Sequence, residues 1–215
     1  MIYVMSDIHG EYEKFLAMLE QIKFNNNDTL YILGDVVDRG SESIKCLQYI
    51  MHKPNIKMIL GNHEEMMLRS LINGDRGYYN CWMGNGGYNT LRKFDDLSID
   101  FQHKILDYLQ QLPLTITISD FEEDYILVHA GVNFDEDTQD RETVLWARDE
   151  FIYGNDRFDG VTVIFGHTPT KYMQNIKPYK IWNTGNGKIG IDCGACFEGG
   201  QLGCLRLDDM KEFYV

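Results

Sequence analysis

No apolar run in the chain approaches the roughly 20 residues that a membrane-spanning helix needs. The earliest, Ile2 to Met5, passes at once into Ser6-Asp7. It lacks a basic lead-in and a cleavable apolar stretch, so the expectation is a cytoplasmic protein with no membrane partner. Positive charge is also scarce: 20 Lys and Arg stand against 33 Asp and Glu, a formal net charge of −13. Bulk attraction to a phosphate backbone is then unfavourable, which argues against long nucleic acids as partners. Carboxylates covered by bound cations would make the surface less acidic than that sum. Cysteine is sparse and odd in number, at five, in a compartment that disfavours disulfides. Cys46 and Cys81 read as interior thiols. Cys193 and Cys196 form a C-x-x-C with no second pair at finger-like spacing, and a structural role is the better reading. Repeats, low-complexity tracts and linkers are all missing, so residues 1–215 read as one domain with its own core.

What the chain does contain is an alternation. Ile2 to Met5, Thr29 to Leu33 and Ile56 to Leu60 are short apolar runs of strand type. Between and after them, Glu11 to Ile22, about Ser41 to Met51 and Glu64 to Ile72 carry apolar residues at helical spacing, with Ser41 a plausible N-cap. A βαβαβα series predicts an α/β layered fold. Trp82 to Thr90, rich in glycine and asparagine, reads as a loop, and Ile99 to Leu109 as a helix. Strands are then expected at Leu114 to Ile118, Tyr125 to Val128, Val161 to Phe165, Ile189 to Cys193 and Leu202 to Leu207, with Leu145 and Trp146 in a short helix.

The chemistry lies at the ends of the strands. The first run delivers Asp7 and His9, in Ser6-Asp7-Ile8-His9-Gly10. The second delivers Gly34-Asp35-Val36-Val37-Asp38-Arg39-Gly40, and the third Gly61-Asn62-His63-Glu64. Later runs deliver His129-Ala130-Gly131 and Gly166-His167-Thr168, whereas Leu114 to Ile118 delivers nothing of this kind. An open α/β sheet builds its sites outside the carboxyl ends of its strands. Asp, Asn and His together offer the mixed oxygen and nitrogen donors that suit manganese, iron or zinc. One D-x-H arises by chance, and one buried histidine is usually just hydrogen-bonded. Five such clusters in order, each at a strand end, point to a metal site, since buried charged groups demand partners.

These pieces, SDIHG, GDVVDRG, GNHE, HAG and GHTP, spread over residues 6–169, resemble the metal-dependent phosphoesterases. Within them the chain is similar to the phosphoprotein phosphatases, most nearly the small bacterial and phage serine/threonine enzymes of the bacteriophage lambda type. Leu145-Trp146-Ala147-Arg148-Asp149-Glu150-Phe151 and the tail around Ile191-Asp192-Cys193-Gly194 fit the same group. The resemblance implies a metallophosphoesterase-like layered β-sandwich flanked by helices, with a dinuclear metal site at the carboxyl ends of the strands. It implies that Asp7, His9 and Asp35 hold one divalent ion and that Asp35, Asn62, His129 and His167 hold the other. Manganese is the first expectation, with iron or zinc as alternatives. A metal-bridging hydroxide would attack phosphorus in line, with no phosphoenzyme. Arg39 and Arg148 would bind the phosphate, and His63, oriented by Asp38, would protonate the leaving group. The expected partner is a phosphorylated protein or peptide carrying phosphoserine or phosphothreonine, with phosphotyrosine and small monoesters as further substrates.

Ser6 departs from the family's more frequent glycine. Trp82-x-x-Asn85-Gly86-Gly87-x-x-Thr90-Leu91 resembles a stretch in small bacterial relatives that include symmetrical diadenosine tetraphosphate hydrolases. Dinucleotide hydrolysis is therefore the alternative reading, and a catalytically silent metal-binding module is a third. His52, His103 and Glu64 are expected to take no part in the chemistry.

Overall fold

The early apolar runs form parallel strands β1 (Ile2–Met5), β2 (Thr29–Ile32) and β3 (Ile56–Met58). Helices α1 (Tyr12–Gln21) and α2 (Ser43–Met51) connect them. After β3 come α3 (Asn62–Leu71), α4 (Arg76–Gly84), α5 (Tyr88–Asp95) and α6 (Ile99–Gln110). The second half supplies β4 (Thr115–Ile118), β5 (Asp124–Val128), α7 (Arg141–Trp146), α8 (Asp149–Tyr153) and β6 (Val161–Phe165). It ends in β7 (Trp182–Asn183), β8 (Lys188–Gly190), β9 (Gly203–Arg206) and β10 (Lys211–Tyr214). This computed structural model describes residues 1–119, 123–134, 139–174, 177–183 and 185–215.

Two five-stranded mixed sheets result, ordered β10-β9-β1-β2-β3 and β4-β5-β6-β8-β7. Each strand's two-residue period assigns its faces. Val4, Tyr31 and Leu33 from the first sheet and Tyr125, Leu127, Ile164 and Ile189 from the second share one apolar cluster, the seam of the sandwich. Their neighbours Met5, Leu30 and Ile32, with Val128, Val163 and Phe165, turn to the helices instead. Both faces of the central strands are covered, which is why they read as unbroken apolar runs. The fold is α/β, two mixed sheets flanked by helices. Among the described residues no helix is long and apolar enough to cross a membrane.

The structure corrects several expectations. Trp82 to Thr90 is helical at both ends, in α4 and α5, and only the turn Asn85-Gly86-Gly87 breaks it. α3 starts at Asn62 rather than Glu64, because Glu64 stands at its third position and its carboxylate caps the Gly61 N–H at 3.1 Å. Ser41 is not the cap of α2; Glu42 precedes that helix, and Ser43 Oγ bonds outward to the Asp38 N–H. Cys81 is exposed on α4 rather than interior, while Cys46, Cys193 and Cys204 are buried and all five thiols are free. β8 begins earlier and ends before Ile191. β10, half polar and at a sheet edge, lacks the apolar run that would mark it in the sequence.

Candidate metal centre

The five strands that deliver candidate ligands, β1, β2, β3, β5 and β6, run parallel within their sheets. β4 is antiparallel to β5 and its carboxyl end points away, which explains why it carries none. The loops after β1 and β2 are laced together by backbone bonds from Asp7 N to Gly34 O, His9 N to Asp35 O and Gly10 N to Val36 O, at 3.2, 2.9 and 2.8 Å. Asp7, His9, Asp35, Asp38, Arg39 and His167 all sit at φ between 47° and 73°. Among the described residues only Lys23 and Met210 share that left-handed region without being glycine. Backbone strain of this kind concentrates where a site needs its side chains aimed.

Glu64 holds the second loop in this conformation. Its fully buried carboxylate accepts the N–H groups of Asp35, Val36 and Val37 at 2.8, 2.8 and 3.1 Å, as well as that of Gly61. Burial and the charge of Asp35 push its pKa up to about 8, against the lowering effect of the Val37 and Asp35 amide hydrogens. Gly61 must be glycine for a steric reason, since a Cβ there would strike Asp35 and Glu64.

Asp35 lies between two groups of potential ligands. Its Oδ2 is 3.6 Å from His9 Nε2, and its Oδ1 is 3.5 Å from His129 Nε2. His9 Nδ1 donates to Val37 O at 2.8 Å and His129 Nδ1 to Leu33 O at 2.7 Å, so each ring turns its Nε2 lone pair inward. Asp7 Oδ1 is 3.8 Å from His9 Nε2. On the other side, Asn62 Oδ1 lies 2.8 Å from His129 Nε2 and 3.0 Å from His167 Nδ1. Among the described residues, two sets, His9–Asp35–His63 and Asp35–His129–His167, have the reach to hold an ion.

The donors fit divalent cations. His129 Nε2 and Asn62 Oδ1 are both acceptors, and two facing lone pairs call for a positive charge between them. Asp7 Oδ1 and His167 Nε2 are buried with no hydrogen-bond partner among the described residues, a costly arrangement unless something else satisfies them. Burial pushes His9, His129 and His167 below the usual imidazole range, toward the neutral form that ligates metals. Burial raises Asp35, and the neighbouring Asp7 raises it further. A shared cation relieves both effects.

Around this centre stand the other candidates. Arg39 reaches across it, with Nη1 2.8 Å from His9 Nε2 and Nη2 3.1 Å from His63 Nε2. Its Nη1 is also 3.9 Å from the Sγ of Cys196, the second thiol of the C-x-x-C. His63 Nδ1 bonds Asp38 Oδ2 at 2.6 Å. Burial pushes Asp38 up to about 7, against hydrogen bonds from Thr90 and Trp82 and the charge of Arg39. Arg148 Nη1 donates to Thr168 Oγ1 at 3.1 Å, beside His167. The segment bearing Arg148 is tied to α3 through Glu65, which accepts from Arg141 Nη2 at 2.6 Å and from Arg69 Nε at 3.0 Å. His52, just after α2, and His103, on α6, are exposed outside this cluster.

Some neighbours escape the sequence reading. Asp192 follows β8, which is parallel to β6, and is buried close enough to Asp7 for that charge to raise its pKa, after burial. Its signal was a carboxylate after an apolar run, the same signal as elsewhere. Trp82 is fully buried with its indole N–H on Asp38; a buried indole needs an acceptor, but its spacing from Asp38 does not name that acceptor.

A family profile for calcineurin-like phosphoesterases matches residues 1–191. The chain belongs to that family. The phosphoesterase is 31% identical over 224 aligned positions to serine/threonine-protein phosphatase 2 of Salmonella typhimurium, covering 96% of this chain and 92% of that protein. It is 29% identical over 188 to the symmetrical bis(5'-nucleosyl)-tetraphosphatase of Haemophilus ducreyi, covering 84% of this chain but 63% of that protein, so it spans less than two thirds of that relative's length. A solved structure of a candidate diadenosine tetraphosphatase superposes with a TM-score of 0.74 at 21% identity, over 100% of this chain and 92% of that one, a likeness of fold. The phosphoesterase thus has relatives with two different substrate names.

Proposed function

We propose that this phosphoesterase removes phosphate from phosphoserine and phosphothreonine in proteins, with phosphotyrosine as a poorer substrate. The observation that carries the reading is how charge is distributed outward from the centre. Arg39 and Arg148 flank it with enough cationic support for one phosphoryl group. Beyond Arg148 opens a pocket of about 470 Å³ whose lining includes Glu142, Glu150 and Asp156. A tetraphosphate chain laid there would meet carboxylates, in a protein of formal charge −13. The neutral or basic flank of a phosphopeptide would meet the same carboxylates without that repulsion.

Asp7, His9 and Asp35 would hold one divalent cation, and Asp35, Asn62, His129 and His167 the other. Manganese suits these mixed donors, as do iron and zinc. When bound, such a pair lowers the pKa of water and offsets phosphoryl charge. Arg39 and Arg148 donate hydrogen bonds to the phosphoryl oxygens and orient the group for in-line displacement. His63 gives a proton from Nε2 to the departing seryl oxygen, and Asp38, accepting from Nδ1, favours the charged ring. Burial and the charge of Arg39 push His63 below its usual range; a phosphate dianion arriving beside Arg39 counters that charge. The relatives named as tetraphosphatases support a second reading, symmetrical cleavage of diadenosine tetraphosphate.

One panel separates the two. Protein loaded with manganese is assayed on a phosphoserine peptide, a phosphotyrosine peptide and diadenosine tetraphosphate. The phosphoserine peptide is expected to have the highest kcat/KM, and faster turnover of the dinucleotide would overturn the proposal. Arg39→Ala is expected to weaken competitive inhibition by inorganic phosphate about 10- to 100-fold, the worth of a charge-assisted hydrogen-bond pair. An unchanged inhibition constant would remove Arg39 from phosphate binding.

A further inference from the structure

Trp82 is the buried residue of α4, and Thr90 shares that place in α5 with Phe94. Both converge on Asp38. The indole Nε1 donates to Asp38 Oδ1 at 3.0 Å and to Oδ2 at 2.9 Å. The Asp38 backbone N–H meets Thr90 Oγ1 at 3.0 Å and Ser43 Oγ at 2.9 Å, and those two hydroxyls are themselves bonded at 3.1 Å. The turn between the helices reaches the adjacent residue: Gly86 O accepts from Arg39 N at 3.1 Å. Gly87 lies against the indole, where a Cβ would collide with the ring. The α4–α5 pair thus presents its buried polar groups to the loop after β2 at Asp38 and Arg39.

A carboxylate's terminal torsion is broad and soft when nothing restrains it. One rigid indole bonded to both oxygens restrains it, and the hydroxyl of Thr90 fixes the backbone it hangs from. The plane of Asp38 then sets the plane of the His63 ring, through the 2.6 Å contact at Nδ1. We propose that Trp82 and Thr90 are positioning residues that hold Asp38 so that His63 Nε2 faces the leaving-group oxygen. Neither touches substrate; both act through Asp38. The inference rests on the phosphomonoesterase reading above.

Its test uses the dependence on leaving group. A seryl alkoxide departs only with a proton, whereas p-nitrophenolate departs without one. Trp82→Phe and Thr90→Val are compared with wild type, all manganese-loaded, on a phosphoserine peptide and on p-nitrophenyl phosphate. For the peptide, kcat is expected to fall about 10- to 100-fold, as for other supporting contacts around metal sites, with KM and inhibition by phosphate unchanged. For p-nitrophenyl phosphate the fall should be several times smaller, with metal content as in wild type. An equal fall on both substrates, a change confined to KM, or no change at all would overturn the proposal. If Trp82→Phe does not fold, Thr90→Val, which removes a hydroxyl alone, decides by the same comparison. A wild type that hydrolyses neither monoester would defeat the phosphomonoesterase reading and this inference with it. A wild type that hydrolyses both, with variants insensitive to leaving group, would defeat the inference alone.

Discussion

His63→Asn is expected to lower turnover of a phosphoserine peptide about 10²- to 10⁴-fold while two metal ions per chain stay bound. Two roles compete for this side chain. It lies within ligand reach of His9 and Asp35, and it is also bonded through Nδ1 to Asp38 at 2.6 Å. The second role is the stronger, because Asp7 offers the same ion a buried oxygen that has no hydrogen-bond partner among the described residues. A ligand's loss would empty a metal position, whereas a proton donor's loss would leave both filled. Metal content measured on the purified variant separates the two. One ion per chain instead of two would make His63 a ligand and contradict the donor role.

Glu64→Gln is expected to be the most destabilising change near the site. The carboxylate serves four backbone amides, two on each oxygen. Glutamine keeps one acceptor oxygen and sets an NH2 group against the other pair, leaving two buried donors without partners. At 1–3 kcal/mol for each, the cost is about 2–6 kcal/mol. For a chain of this size that lowers Tm by roughly 5–20 °C. Activity should fall further than the folded fraction does, because the amides of Asp35 and Val36 position the loop carrying Asp35, Asp38 and Arg39. Calorimetry of the variant checks it, and a Tm within about 2 °C of wild type would mean that Glu64 does not hold this loop.

The parallel strands and the candidate ligands at their ends were legible because both signals are local. Each strand is a short apolar run, and each polar cluster follows its own strand within a few residues. Asp7, His9, Asp35, Asn62, His129 and His167 could therefore be named singly, although the contacts that unite them join residues as far apart as Asn62 and His167. What the sequence hid was pairing between segments. Trp82 meets Asp38 across 44 positions and Arg141 meets Glu65 across 76, and no local pattern states either contact. Composition misled at Trp82 to Thr90: Gly86 and Gly87 mark a tight turn, and the helices on either side of it are short. Ser41 and Ser43 are equally good caps by residue type. Neither caps α2: Glu42 precedes the helix, and the Ser43 hydroxyl turns to the Asp38 N–H, a contact between segments that residue type does not state. Asp192 carried the same strand-end signal as the rest and feels the charge of Asp7, so the rule reached further than its first application.

The central claim is that Asp35 stands between two metal positions built from strand ends. Anomalous scattering from crystals grown with manganese tests it most directly. Two peaks per chain are predicted, one beside Asp7 and His9 and one beside Asn62, His129 and His167, with an oxygen of Asp35 on each. A single peak, or two that do not share Asp35, would contradict it.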